Sequence, residues 1–169
     1  QLVISHDIPD ASSVPAEIFF EIYKSYQIPL PLALNIKADG LQDELRLLLT
    51  KYKVENYFVF DMAVPDGIKY AKGKFRTFTR QSEYEPIPPY YDLAHGVWLD
   101  EFNGNWIRSE IIEHHLQQGK NVCIVSPDLH MRDYRQEWQH YRNLESVIGK
   151  DKIMLCTDFP ELAQEYFNE

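Results

Sequence analysis

The sequence is poor in several features that mark particular classes of protein. It has only two cysteines, Cys123 and Cys156, and each lies in an apolar run, which favours buried free thiols over a disulfide or metal pair. Cytoplasmic residence is expected for the same reason. Lysine and arginine form no cluster and the net charge is -9, which argues against a nucleic-acid partner.

Several recognisable motifs are missing as well. No stretch approaches the ~20 consecutive apolar residues that a membrane span needs, and the first residues do not resemble a signal peptide. The chain also lacks a glycine-rich phosphate loop, a CxxC pair and an HExxH helix. Nucleotide-binding, zinc-finger and zincin functions are therefore not predicted.

The strongest regularity that the chain does contain is a repeating unit, in which a short apolar run is followed by polar residues, a loop and a helical pattern. The apolarity of the runs is continuous, which is typical of strands buried on both faces of a parallel sheet. The predicted strands lie at 2–7, 32–37, 57–62, 75–80, 96–102, 121–126 and 152–158. The predicted helices lie at 41–52, 65–73, 106–116, 134–148 and 160–166.

Polar residues follow almost every predicted strand, and their position favours one fold class. In an open doubly wound sheet, ligands bind mainly at one switch point, so few strand ends need functional residues. In a (β/α) barrel, all the carboxyl ends surround one mouth, and several of them supply catalytic residues. We therefore predict one TIM-type (β/α) barrel domain over residues 1–169.

The strand count falls short of a complete barrel. Such a barrel has eight strands, whereas this chain has seven runs and the first begins at residue 2. We expect its first one or two strands to be missing from the front, where the chain begins with Gln1. The unpaired edges of an open barrel would be covered by a missing N-terminal segment or by self-association.

The dipeptide His6-Asp7 closes the first run and is the sharpest local candidate for catalysis. A histidine titrates near neutral pH and can act as a general acid or base, while the aspartate orients its ring. The alternative is a hydrogen-bonded structural histidine at the end of a strand.

Asn35 and Lys37 alternate along one predicted strand, so both side chains point to the same side. A lysine there suits a phosphate or another anion, and an asparagine can offer an oxygen to Mg²⁺ or Ca²⁺. The competing interpretation is that Lys37 only neutralises Asp61 or Asp100.

Four further polar residues are candidates for binding substrate. Asp61, Asp100 and Asp158 could hold a cation or substrate hydroxyls, and Arg80 could clamp the substrate or pair with Glu83. Among the remaining histidines, His130 follows a strand and is expected to face the mouth. His114 and His115 fall in the middle of a helix and are expected at the surface.

Taken in order, the motifs resemble those of a known family. They are LVISHD, LALNIK, YFVFDM followed by VP, FTRQSEYE, GVWLDEF, VCIVSPDLH with Arg132 close behind, and LCTDFP. Through essentially its whole length the chain resembles a divergent bacterial branch of the glycerophosphodiester phosphodiesterase-like proteins. These belong to the phospholipase C-like phosphodiesterases, which are TIM barrels.

The resemblance implies a metal-assisted hydrolase that acts on a small phosphodiester with Mg²⁺ or Ca²⁺. It places His6 as a catalytic histidine and Lys37 against the phosphate, and it places Asn35 where the family has a metal carboxylate. The family's HRG motif and Glu-x-Asp strand are absent from this chain. We therefore expect little activity unless an upstream segment supplies them.

Two other functions stay open at this point. A non-catalytic barrel that binds a phosphorylated sugar or polyol is compatible with the amide at Asn35, because an amide is a weaker ligand than a carboxylate. A sugar hydrolase that uses Asp61 and Asp100 as paired carboxylates is the other possibility, and their separation would test it.

Overall fold

The computed structural model describes residues 1–26, 31–104, 106–148 and 153–168, with the backbone alone for 145–148. Within these ranges the chain forms eight strands and six α-helices. It divides into two compact units, Gln1–Thr77 (unit 1) and Phe78–Glu169 (unit 2). The expectation of one domain stays a prediction.

Unit 1 begins with a short antiparallel pair and continues with a parallel pair. Its strands are β1 (Val3–Ile4), β2 (Val14–Pro15), β3 (Leu32–Asn35) and β4 (Tyr57–Phe60). Its helices are α1 (Ala16–Ser25), α2 (Gln42–Tyr52) and α3 (Val64–Lys72). β1 pairs with β2, and β3 pairs with β4 in a register that runs from Leu32–Tyr57 to Asn35–Phe60.

Aromatic and aliphatic side chains fill the core of unit 1. α1, which lies outside the predicted helices, buries Phe20 against Tyr52 of α2, with the ring centroids 5.8 Å apart. Val59 of β4, Tyr70 of α3 and Phe75 are fully buried in the same cluster. Burying apolar surface on this scale stabilises a unit whose strands are only two to four residues long.

Unit 2 is a four-stranded parallel sheet in the order β5-β6-β7-β8, flanked by helices. The strands are β5 (Phe78–Ser82), β6 (Gly96–Asp100), β7 (Asn121–Val125) and β8 (Ile153–Cys156). The helices are α4 (Ser109–Gln117), α5 (Arg135–Ile148) and α6 (Pro160–Asn168), with short 3-10 helices at Tyr91–Leu93 and Pro127–His130. The core includes Leu99 and Ile124 from the sheet, Ile112 from α4 and Trp138 from α5.

The predicted TIM-type barrel is wrong. The described strands form one four-stranded parallel sheet and two two-stranded sheets, and no closed barrel is found among them. The first run is the clearest departure, because β1 pairs antiparallel with β2 and not with a parallel neighbour. Continuous apolarity shows only that a strand is covered on both faces, and it does not show that the sheet closes.

The positions of the predicted elements agree better with the structure than the barrel does. Each of the seven runs contains strand residues, although Lys152 lies outside the described residues. The fourth run is split, because Thr77 bridges Val59 in unit 1 and β5 begins at Phe78. Cys123 and Cys156 are free thiols, as predicted. Gly119 follows α4 with a φ of 73°, which glycine adopts without strain.

A buried histidine links α4 to β5 in unit 2. His115 is 3% exposed, so its predicted surface position is wrong, whereas His114 is exposed as expected. Its Nε2 lies 2.7 Å from Gln81 Oε1 and its Nδ1 lies 2.8 Å from the Tyr91 hydroxyl. Gln81 Nε2 donates to the Pro86 carbonyl, which leaves Oε1 as the acceptor and assigns the proton of neutral His115 to Nε2.

This neutral histidine makes the stability of the protein depend on pH. Burial lowers the pKa of His115 to about 4, and the positive charges of His114 and Lys120 act in the same direction. The unfolded chain takes up a proton near pH 6.5, whereas the folded chain does so only near its lowered pKa. The free energy of unfolding should fall by roughly 3 kcal/mol as the pH drops from 6.5 to 4.

Urea unfolding of wild-type protein and His115→Gln between pH 7.5 and 4.5 tests this expectation. The stability of the wild type should decline more steeply across this range than that of the variant, with His6→Gln as the control for an exposed histidine. Parallel pH profiles for the wild type and His115→Gln would contradict a neutral buried histidine.

Candidate functional site

The carboxyl ends of β5 to β8 lie at one edge of the sheet in unit 2, and polar side chains gather there. Parallel pairing sets Ser82 of β5 beside Asp100 of β6, and Ser126 follows β7 directly. We call this set of strand ends and the loops after them the carboxyl edge. Ligands of parallel α/β sheets bind at such an edge, so a substrate is expected to bind there.

An imidazole–carboxylate pair is the central feature of the carboxyl edge. His130 Nε2 lies 2.7 Å from Asp100 Oδ1, and the two side chains are 22% and 10% exposed. An aspartate carboxylate only accepts hydrogen bonds, so Nε2 carries the proton and donates it. Nδ1 then has a lone pair, and it has no hydrogen-bond partner within the described part of the chain.

Local backbone geometry brings His130 to this position. The 3-10 helix Pro127–His130 follows β7, and Met131 after it has a φ of 56°, which turns the chain back towards α5. The Phe102 ring, in the loop after β6, lies 4.7 Å from the His130 ring between centroids. The imidazole is therefore held both by a hydrogen bond and by an aromatic contact.

A buried carboxylate beside Asp100 fixes the loops around the pair. Glu101 is 1% exposed, and its Oε2 accepts the backbone N–H groups of Trp106 and Ile107 at 2.8 and 3.1 Å. Arg132 donates to Glu101 Oε1 at 3.0 Å and to the Glu101 carbonyl at 2.8 Å. The loop after β6 is thereby tied to the segment after β7 that carries His130.

Two other carboxylates have the same anchoring role. Glu83 accepts the backbone N–H groups of residues 102–104 at 3.1, 2.8 and 3.3 Å. Burial acts to raise the pKa of the Glu83 carboxyl, but the backbone N–H bonds together hold that pKa below its usual value. Asp128 accepts hydrogen bonds from Ser126, from Thr157 Oγ1 at 2.9 Å and from the Asp158 backbone N–H at 2.8 Å.

The substrate-binding candidates of unit 2 occupy different environments. Asp100 is paired with His130, whereas Asp158, which lies between β8 and α6, has an exposed side chain. Arg80 forms an ion pair with Glu85 and not with Glu83, so the expected partner was wrong and the expected kind of contact was right.

The candidates of unit 1 form two separate pairs. Lys37 Nζ lies 2.9 Å from Asp61 Oδ2, and the lysine is half-exposed, so the contact of the competing interpretation is present while anion binding by Lys37 stays a prediction. His6 Nδ1 lies 3.2 Å from Asp7 Oδ1, and both side chains are more than 90% exposed, at 91% and 92%. The first pair is partly shielded from solvent, whereas the second is almost fully exposed.

The residues present do not fit a divalent-cation site. Among the described residues, no group of three or more histidine, cysteine, aspartate or glutamate side chains is placed to hold a metal ion. Asn35 is exposed, and the nearby ammonium of Lys37 brings a positive charge to the same end of β3. A hard cation needs several oxygen ligands, and the described residues around Asn35 do not supply them.

The anchoring roles of Glu83, Glu101 and Asp128 were not predicted. Each carboxylate binds backbone N–H groups in a loop, and no side-chain pattern in the sequence signals such a bond. The pairing of Asp100 with His130 was also missed, although both residues were singled out, because they are thirty positions apart and meet only through the register of β6 and β7.

Comparison of the sequence with family models and with curated proteins identified no relative. None of the known family models matches the sequence, and no curated protein matches it. In the part of the chain that the structure describes, no helix has the length and apolarity to cross a bilayer. The family resemblance of the motifs therefore stays a prediction.

The buried carboxylate network makes a prediction about stability. Glu101→Ala should remove the acceptor of two backbone N–H groups and one acceptor of the Arg132 guanidinium, and should lower the free energy of unfolding by about 3 kcal/mol. Asp133→Ala, which removes the exposed acceptor of the Arg135 side chain and of its backbone N–H at the start of α5, should cost clearly less. Urea unfolding measures both values. Equal small losses would contradict the anchoring role of Glu101.

Proposed function

We propose that this chain is a phosphoric diester hydrolase in which His130, oriented by Asp100, transfers protons to and from the substrate. The observation that carries the proposal is the 2.7 Å contact between His130 Nε2 and Asp100 Oδ1 at the carboxyl edge of the sheet. The substrate class is supported by the resemblance of the motifs around His6, Lys37 and Asp158 to phosphodiesterase motifs.

The chemistry needs one group that first accepts and then donates a proton. A water molecule or a substrate hydroxyl attacks phosphorus and gives its proton to His130 Nδ1. The bond between phosphorus and the alcohol oxygen breaks, and the leaving alkoxide takes a proton from the imidazolium. Hydrolysis with water yields a phosphomonoester and an alcohol, and His130 returns to its neutral form.

Asp100 serves this cycle in two ways. It fixes the proton of the neutral ring on Nε2, which leaves the Nδ1 lone pair for the substrate. It also stabilises the imidazolium formed during the reaction, and this effect is stronger because Asp100 is only 10% exposed. An imidazole without such a partner would be a less well-directed base.

Three residues of unit 1 are further candidates for this chemistry, namely Lys37, His6 and Asp7. Lys37 is half-exposed, so a phosphoryl oxygen could share its ammonium with Asp61. His6 and Asp7 are in contact and accessible to water. The variants Lys37→Met and His6→Ala test two of these candidates separately.

The decisive experiment measures hydrolysis of alkyl and aryl phosphodiesters by wild-type protein and His130→Gln, with Mg²⁺, Ca²⁺ or a chelator. The variant should lose roughly 10²- to 10⁴-fold in kcat with alkyl diesters, whose alkoxide leaving groups need a proton. The loss should be smaller with bis(p-nitrophenyl) phosphate, because p-nitrophenolate leaves without a proton and only the acceptance of the nucleophile's proton is then lost. His114→Gln, an exposed histidine of α4, is the matched control.

The possible results separate the parts of the proposal. Equal losses on alkyl and aryl substrates would contradict proton donation by His130. Full activity in His6→Ala or Lys37→Met would remove those residues from the proposed mechanism. Binding of a phosphorylated sugar without turnover of any diester, by the wild type, would replace the hydrolase with a binding protein.

A further inference from the structure

Two aromatic side chains extend outward from the His130–Asp100 pair. The Phe102 ring lies 4.7 Å from the His130 ring, and the Tyr84 ring lies 5.6 Å from the Phe102 ring, measured between centroids. Tyr84 is 71% exposed, and Phe102 is partly exposed. We call Tyr84 and Phe102 the aromatic platform.

The Tyr84 ring is held in place although it is exposed. Asn103 Nδ2 donates to the Tyr84 hydroxyl at 2.8 Å, and the Tyr84 backbone N–H donates to Ser82 Oγ at 3.3 Å. Glu83 fixes the loop that carries Phe102 and Asn103 through its bonds to the backbone of residues 102–104. A fixed, exposed ring presents apolar area to a ligand at little cost in side-chain entropy.

Among the described residues, most carboxylates of the carboxyl edge already have partners, with the exposed Asp158 after β8 as the exception, and this favours a neutral ligand over a cation at the platform. Four carboxylates of the carboxyl edge already bind donors: Glu83 holds backbone N–H groups, Glu85 pairs with Arg80, Glu101 pairs with Arg132, and Asp128 binds Ser126 and Thr157. An ammonium group would have to compete with these donors. A ring with an apolar face and hydroxyl groups can pack on the platform without doing so.

We infer that the aromatic platform binds a sugar ring in the alcohol half of the substrate, with the ring against Tyr84 and the phosphodiester towards His130. This inference rests on the proposed function, because it assigns the substrate class of the same site. It makes Tyr84 and Phe102 residues that determine specificity, and Phe102 in addition contacts the His130 ring.

NMR titration of the wild-type protein with glucose 1-phosphate and with glycerol 3-phosphate tests the platform without requiring turnover. Glucose 1-phosphate should bind more tightly than glycerol 3-phosphate. Tyr84→Ala should weaken glucose 1-phosphate binding about tenfold and leave glycerol 3-phosphate within twofold. Tyr84→Phe, which keeps the ring but removes the acceptor of the Asn103 hydrogen bond, should weaken glucose 1-phosphate binding less than Tyr84→Ala does. Tyr26→Ala, at an exposed tyrosine of unit 1, is the control.

Three results would overturn the inference. They are equal binding of the two phosphates by the wild type, equal weakening of both by Tyr84→Ala, and tighter, Tyr84-dependent binding of phosphocholine, which would indicate a cationic ligand. The hydrolase can fail separately. A Tyr84-dependent preference for the sugar phosphate without turnover keeps the platform and removes the hydrolase, whereas turnover without that preference does the reverse.

Discussion

The parallel register of β5 to β8 is the constraint on which the candidate site depends. It aligns Ser82 with Asp100 and brings the segment after β7 beside the end of β6. His130 therefore meets Asp100 although the two are far apart in the sequence. A shift of one residue in β6 would turn Asp100 to the other face of the sheet and separate the pair.

The acidic groups at the carboxyl edge divide into anchors and one group suited to chemistry. Glu83, Glu101 and Asp128 bind loop backbone or neighbouring side chains, and this holds the loops after three strands in fixed positions. Asp100 instead binds an ionisable ring whose other nitrogen faces away from the bond. Fixed loops allow the imidazole to keep one orientation, which proton transfer requires.

Sequence patterns located the strands well because continuous apolar runs are a local property. They located the helices α2 to α6 for the same reason, since the apolar face repeats within each segment. The closed barrel failed because closure depends on how distant strands pair, and a run such as 2–7 carries no information about its partner. β1 joined β2, a two-residue strand without a recognisable pattern.

The candidate site could be predicted only in part. Asp100 and His130 were recognised from their positions after strands, but their contact comes from tertiary register. His115 was assigned to the surface because it lies in the middle of a predicted helix, and nothing in the sequence distinguishes it from the neighbouring His114. Its burial is explained only by the packing of Gln81 and Tyr91 around it. The spacing of residues in the sequence does not indicate which carboxylates accept hydrogen bonds from backbone N–H groups.

The central claim is that Asp100 acts through His130, and a double-mutant cycle on kcat for an alkyl phosphodiester tests it most directly. Asp100→Asn and His130→Gln should each reduce kcat, and the double variant should be no slower than His130→Gln alone, because the proposed mechanism uses Asp100 only through His130. Losses that multiply in the double variant would contradict the account, since they would show that the two side chains contribute independently.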